Sequence, residues 1–540
     1  MNPHFVLVHG AGHGGWCWFK LLNLLHSAGH HATALDLTAA GVDPTKLEEV
    51  TSIHHHAHPL MDFIEALPQQ QKVILVGHSF GGLIISLAME AFPHRILVAV
   101  FVTAYMPHFL SPPATLVQRF FNTLSPQNLL DCQFLFGDDP EMPNSVVFGH
   151  NFTTQKLYDH CSNEDLELGK LLMRPFKMFF EDLKNESILT EAKFGSVDRV
   201  FVVCEGDEVM KSEFQRLMIQ EFPPKAVKCI NGGGHMPRCK IAAAVFLTAS
   251  VPHTLHPPSY VLDKLPFSYF PCLPFLIYQR SCEDMEQKHF VMVHGACHGA
   301  WTWYKIKPLL EAAGHRVTVL DMAGAGVNMK AIQEVKSFVE YSEPLLQAMS
   351  CVDPKEKVIL VGHSLGGMSL AVAMEKFPHK IAASVFVTAF VPDTHHQPSA
   401  VIEQFRESLP MEFWQDTQVP TNDKPSSWFI FGPKCTANNI YQLSPSEDLA
   451  LAMTLMRPGS LFKEDLANAE KFTEENYGSV KKVYVMCSED KTISKQFQKR
   501  MIENYGIQDV MEIDGADHMP MFSKPLQLFK CLLKVAHNCT

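Results

Sequence analysis

The sequence has no uninterrupted apolar run near the roughly 18–20 residues that a membrane-spanning helix needs, so a membrane is not an expected partner. It has no cluster of Lys and Arg. At a formal net charge of −12, nucleic acid is not an expected partner either. It has no C-x-x-C pair, and its 14 cysteines fall at irregular intervals. That excludes a zinc knuckle or a disulfide scaffold and points to buried reduced thiols, hence a cytoplasmic location. Low-complexity tracts are absent, and a hydrophobic share of 46% is that of an ordinary globular protein. The first strand-like run, Phe5-Val6-Leu7-Val8, starts so close to Met1 that no leader segment is expected. What the chain does have is length. Its 540 residues exceed what one hydrophobic core serves, so two domains are expected.

The chain repeats itself. His4-Phe5-Val6-Leu7-Val8-His9-Gly10-Ala11 returns as His289-Phe290-Val291-Met292-Val293-His294-Gly295-Ala296, an offset of 285. Val73-Ile74-Leu75-Val76-Gly77-His78-Ser79 returns at the same offset as Val358-Ile359-Leu360-Val361-Gly362-His363-Ser364. Gly234-His235-Met236-Pro237 answers to Asp517-His518-Met519-Pro520 at an offset of 283. So long a period with so few insertions means two copies of a whole domain. A third, partial copy lies between them, with residues 240–249 matching 380–389. The expected organisation is copy one over 1–240, a duplicated fragment and linker over 241–284, and a complete copy two over 285–540. Copy one then lacks the amphipathic final helix that copy two carries at 524–537, and its histidine loop is expected to be held less firmly.

Each copy alternates short β-branched runs with helical stretches. In copy two the strands are expected at 290–294, 316–320, 357–361, 383–387 and 482–487. Helices are expected at 303–313, 332–349 and 368–376. The pattern means a mostly parallel sheet with helices on both faces.

The turn Gly77-His78-Ser79-Phe80-Gly81, with its partner Gly362-His363-Ser364-Leu365-Gly366, is G-x-S-x-G between a buried strand and a helix. The small residues let backbone approach backbone in a sharp turn that leaves the hydroxyl exposed. A serine nucleophile needs a base, and the base needs an orienting acid, in the order Ser, acid, His. Copy one supplies Ser79, Asp207 and His235; copy two supplies Ser364, Asp490 and His518. The acid-to-histidine spacing is 28 in both, which favours these aspartates over Glu205 and Glu489. For the oxyanion the backbone N–H groups of Phe80 and Leu365, just after the serines, and of Ala11 and Ala296, in the early His-Gly-Ala loop, are the candidates.

Two patterns point elsewhere and are set aside. Gly10-Ala11-Gly12-His13-Gly14-Gly15 fits G-x-G-x-x-G, with Asp36 some 20 residues on. Copy two has Cys297 and Ala300 at the second and third glycines, so no cofactor is expected. His54, His55, His56 and His58 have no histidine counterparts in copy two. They are expected on a solvated helix face, with no metal.

With these residues in hand, both copies resemble the plant methylesterases, α/β-hydrolases that include salicylate-binding and jasmonate methyl-ester hydrolases and are related to hydroxynitrile lyases. The segments His294-Gly295-Ala296-Cys297-His298-Gly299-Ala300-Trp301 and Leu455-Met456-Arg457-Pro458-Gly459-Ser460-Leu461-Phe462 carry the likeness. The resemblance implies two tandem α/β-hydrolase domains, each with a helical lid, and a small ester substrate. It implies hydrolysis of methyl salicylate, methyl jasmonate or methyl indole-3-acetate by the two triads. The lyases carry Thr where this chain has Gly10 and Gly295, and Lys where it has Met236 and Met519. A methionine cannot stabilise departing cyanide, so esterase is favoured over lyase. A ligand-binding module with vestigial catalysis is the remaining alternative, for copy one especially. The lid places Trp414, Phe429 and Met456 as substrate-binding candidates. Leu129 aligns with Trp414, so the two pockets are expected to differ in shape, and the two copies to pack as a dimer does.

Overall fold

Buried apolar runs of five to seven residues make the central strands, and the parallel pairing follows from the helices between them. The computed structural model describes residues 3–136, 143–185, 188–236, 286–419 and 428–539. The chain divides into two units, 1–268 and 269–540. The boundaries expected at 240 and 284, and the duplicated fragment between them, lie outside the described residues. So does any helix that follows His235 in copy one.

The first unit holds a six-stranded parallel sheet of β1 (His4–Val8), β2 (His31–Leu35), β3 (Val73–His78), β4 (Ile96–Val102), β5 (Arg199–Cys204) and β6 (Ala226–Ile230). Its order is β2-β1-β3-β4-β5-β6. The second unit repeats it with β7 (His289–Val293), β8 (Arg316–Leu320), β9 (Val358–His363), β10 (Ile381–Val387), β11 (Lys482–Cys487) and β12 (Asp509–Ile513), ordered β8-β7-β9-β10-β11-β12. Register is shared: His4 faces His31 and Val73, as His289 faces Arg316 and Val358. Helices cover both faces of each sheet. β3 and β9 are buried along their whole length at the sheet centre, and helices Gly81–Ala91 and Gly366–Lys376 leave them at once.

Two elements of copy two depart from the sequence reading. The continuous helix expected at 332–349 is three pieces, Ile332–Glu334, Phe338–Tyr341 and Glu343–Cys351. Ser337 accepts the N–H of Glu340 and so starts a new helix, and Pro344 sits in the first turn of the next. The edge strand β12 escaped notice because four of its five residues lack deep burial and show no apolar alternation.

The four-histidine cluster is not one solvated face. His54 and His58 are exposed, but His56 is only 3% exposed. Its Nδ1 lies 2.7 Å from the carbonyl of Thr38, and Thr38 N–H donates back to the His56 carbonyl at 3.1 Å. The helical period carries His56 inward because Ile53, Ala57 and Leu60 share its side.

Buried neutral imidazoles make acid the weak side of this fold. Burial lowers His9 to about 3, His56 to about 4, His78 to about 3 and His298 to about 3, from an ordinary 6.5. The unfolded chain therefore binds more protons than the folded one below pH 6.5. Stability is full above that pH and is lost as pH falls toward 3, by up to about 1.4 kcal/mol per pH unit for each such residue. Asp36, lifted by burial from 3.8 to about 6, acts with the opposite sign between those values and offsets about one histidine. Urea midpoints of the full chain are expected to fall steadily from pH 7 to pH 5. A flat or rising midpoint would contradict the neutral assignment.

Candidate active site

The site begins with a backbone conformation. Ser79 has φ 53° and Ser364 φ 52°, the left-handed region that costs a side-chain-bearing residue energy. Glycine surrounds each because nothing larger fits. A Cβ on Gly81 would stand 2.6 Å from the carbonyl oxygen of His9 and 2.7 Å from that of Val8. On Gly366 it would stand 2.8 Å from that of His294. Strand, turn and helix are thereby pressed against β1 or β7, and the serine is lifted above the sheet edge.

Around that serine the structure brings together the residues that the sequence nominated. In copy one His235 Nε2 lies 3.1 Å from Ser79 Oγ and His235 Nδ1 lies 2.8 Å from Asp207 Oδ2. Asp207 Oδ1 accepts the N–H groups of Val209 and Met210 at 2.7 and 2.8 Å. In copy two His518 Nδ1 lies 2.7 Å from Asp490 Oδ2, and Asp490 Oδ1 accepts from Thr492 and Ile493 at 2.7 and 2.9 Å. No hydrogen bond joins His518 Nε2 to Ser364 Oγ among the described residues. The neighbouring glutamates are elsewhere: Glu205 pairs with Arg216, and Glu489 is exposed.

Two further pairs of residues hold the relay, and the sequence reading passed over them. Thr103 donates its hydroxyl to Asp207 Oδ2, and Thr388 does the same to Asp490. Both threonines have φ 37°, at the ends of β4 and β10. His78 Nε2 lies 2.7 Å from the carbonyl of His235, and His363 Nε2 2.7 Å from that of His518. A carbonyl only accepts, so Nε2 carries the proton in each case. Burial keeps both rings neutral, His78 near 3 and His363 well below its ordinary value. Their recurrence at the offset of 285 was the signal that could have found them.

The residues nominated as oxyanion donors line the cavities of their serines. Ala11, Phe80 and His235 line one cavity with Ser79; Ala296, Leu365 and His518 line the other with Ser364. None of the N–H groups of Ala11, Phe80, Ala296 and Leu365 donates to a backbone carbonyl among the described residues. The early loop is pinned. His9 Nε2 accepts the N–H of Leu37 at 3.2 Å, so its Nδ1 donates to the carbonyl of Gly10 at 2.9 Å. That carbonyl and the N–H of Ala11 belong to one peptide plane, and a trans peptide points them in opposite directions. His294 binds Met322 and Gly295 in the same way.

The G-x-G-x-x-G glycines have a packing reason. A Cβ on Gly14 would meet the Asp36 carboxylate at 2.6 Å, and Asp36 accepts the N–H groups of Gly15 and Val42 at 2.6 and 2.9 Å. Asp321 does the same for Ala300 and Val327. Cys297 takes the left-handed conformation of Gly12, at φ 64°. Among the described residues no group of three His, Cys, Asp or Glu side chains could hold a metal ion.

Trp414 and Phe429 line the copy-two cavity. Met456 is not among its lining residues; its sulfur sits 4.0 Å from the Thr436 hydroxyl, at the C-terminal end of helix Ser446–Leu455. The next residue explains that segment better. Arg457 donates to the carbonyls of Gly326 and Lys330 at 2.9 and 2.8 Å, and its N–H donates to that of Cys297 at 3.1 Å. Arg174 makes the equivalent bonds to Gly41 and Thr45 at 3.2 and 3.0 Å, and its N–H donates to Gly12 at 3.0 Å. These arginines tie the lid to the early loop. Among the described residues no helix is long and apolar enough to cross a membrane.

Family models match both units: an "alpha/beta hydrolase fold" over residues 288–525 and an "Alpha/beta hydrolase family" over 5–238. Salicylic acid-binding protein 2 of Nicotiana tabacum is 53% identical over 256 residues, 47% of this chain and 98% of that protein. Methylesterase 3 of Arabidopsis thaliana is 51% identical over 260 residues, again 47% of this chain and 98% of the relative. Polyneuridine aldehyde esterase of Rauvolfia serpentina is 48% identical over 256 residues, 47% of this chain and 97% of the relative. Each relative has the length of one copy. The chain belongs to the plant methylesterase family of α/β-hydrolases, carries that fold twice in tandem, and is a carboxylesterase.

Proposed function

We propose that each copy hydrolyses the methyl ester of a small plant signal, such as salicylate, jasmonate or indole acetate, through an acyl-enzyme on its elbow serine. The observation that carries this reading is the unbroken chain Ser79–His235–Asp207 on a left-handed turn, with His518–Asp490 repeating it beside Ser364. The names of the relatives support the substrate class.

His235 Nε2 accepts the Ser79 proton as Oγ attacks the ester carbonyl carbon. Asp207, held by Thr103, Val209 and Met210, stabilises the imidazolium through Nδ1 and fixes its tautomer. The negative oxygen develops where Ala11 and Phe80 present unpaired N–H groups, preset so that no reorganisation is needed. The imidazolium then protonates the departing methoxide, and methanol leaves. Water, deprotonated by the same histidine, releases the acid. Ser364, His518, Asp490, Ala296 and Leu365 take these roles in copy two. Trp414 and Phe429 form the acyl-binding wall there.

A fluorophosphonate is expected to modify Ser79 and Ser364 in the folded full chain, located by peptide mass. Asp207→Asn and Asp490→Asn are each expected to slow ester turnover at their own site by about 10⁴-fold, since the histidine loses its tautomer. Absence of an adduct at either serine would end this reading.

Esterase rather than cyanide chemistry rests on Met236 and Met519, both buried and uncharged beside the histidines. The protein is expected to release methanol from methyl esters and no detectable cyanide from aromatic cyanohydrins. Cyanide release at a rate comparable to ester turnover would reverse the assignment.

A further inference from the structure

The triad residues of the two copies correspond in sequence and, apart from the serine–histidine contact, in bonding, but their pockets do not. The cavity beside Ser79 has a volume of about 80 Å³, and the one beside Ser364 about 30 Å³. Three corresponding lining positions carry larger side chains in copy two. Asp131 and Asp416 fix the alignment, because each accepts two N–H groups from the helix start that follows: Asn151 and Phe152 in copy one, Lys434 and Cys435 in copy two. Counting back from them, Asn128 and Leu129 stand where copy two has Phe413 and Trp414. Counting back from Phe148 and Phe431, which precede Gly149 and Gly432, Val146 stands where copy two has Phe429.

In copy two these aromatics brace one another. Phe413 meets Trp414 edge-on at 5.3 Å, Trp414 meets Phe429 at 6.4 Å, and Phe429 meets Phe431 at 5.1 Å. Edge-on ring contacts of this kind brace the wall against displacement by a larger guest. In copy one the smaller side chains leave the space open toward Phe121 and Phe134.

We propose that the tandem chain carries two ester specificities divided by acyl volume, copy one taking the bulkier acyl groups and copy two the compact ones. The inference rests on the serine mechanism proposed above. Two esters with the same reactive centre isolate the volume effect: methyl phenylacetate and methyl 2-naphthylacetate, which differ by one fused ring. The ratio of kcat/KM for the naphthyl to the phenyl ester is measured in full chains carrying Ser79→Ala or Ser364→Ala. The ratio is expected to be about tenfold or more higher in the Ser364→Ala chain, where copy one does the work, than in the Ser79→Ala chain.

Adding Leu129→Trp to the Ser364→Ala chain is expected to pull the ratio down toward the copy-two value. Fluorophosphonate labelling of Ser79 reports that this variant is folded. Ratios equal within about twofold in the two serine variants would overturn the size division, as would a Ser364→Ala chain that turns over neither ester. A labelled Leu129→Trp chain with its ratio unmoved would overturn the role given to that position, and with it the proposal. Full turnover of both esters in both serine variants would instead remove the serine mechanism, and this inference with it.

Discussion

One backbone turn constrains everything else in each unit. A serine held at φ near 50° costs about 1–3 kcal/mol, and it persists only where the surroundings leave no alternative. Here they do not. β3 and β9 are buried on both faces, and the helices that follow are buried along most of their length. The approach is so close that a Cβ on Gly82 would lie 2.1 Å from the carbonyl oxygen of Tyr105, and one on Gly367 2.2 Å from that of Phe390. The strain is sustained by the packing of the sheet centre, and its effect is a hydroxyl presented above the sheet with no freedom to retreat.

Loops from distant parts of the chain must then meet that hydroxyl to within a fraction of an ångström, and each is tied down by a buried polar group instead of by a larger core. The base loop is held by His78 or His363 from inside the elbow itself, the residue just before the serine. The acid is held by a threonine at the end of the adjacent strand. The early loop is held from one side by His9 or His294 and from the other by Arg174 or Arg457 of the lid. Every tie is a hydrogen bond to a backbone carbonyl or a catalytic side chain, in surroundings where an unmade bond is costly. That is why the same residues recur in both units.

The elbow, the triads and the sheet were legible in the sequence because duplication doubled every local signal and held its register. Asp490 could be told from Glu489 only because the spacing of 28 residues to the histidine appears twice. What escaped was whatever depends on tertiary placement. β12 is an edge strand, so water on its flank erases the apolar alternation that would mark it. The helix after β8 breaks at Ser337 because a cap outranks a continuous apolar pattern. His56 lay in a polar run that suggested solvent, yet the helix turns it inward. Met456, nominated as a lid residue, stays outside the cavity lining, and its neighbour Arg457 holds the segment instead.

Duplication also separates what the chemistry requires from what it leaves free. The sheet, the elbow glycines and the imidazole ties reproduce almost bond for bond across the copies, since a small displacement in any of them moves the elbow serine. The lids keep only their anchors. Asp131 and Asp416 still cap the following helix, and the guanidinium groups of Arg174 and Arg457 still clamp the loop after β2 or β8. Around those anchors copy one builds three short strands, Gln133–Phe136, Pro143–Val147 and Phe176–Lys177, where the described residues of copy two pair Trp428–Phe429 with Gly459–Ser460 and bridge Gln418 to Ile430. A pocket wall assembled from such a segment can exchange Phe, Trp and Phe for Asn, Leu and Val without touching a single bond that positions the serine. Under the proposed mechanism, reaction chemistry and acyl selection reside in separate parts of one fold, so a tandem chain can hold the first constant while the second diverges.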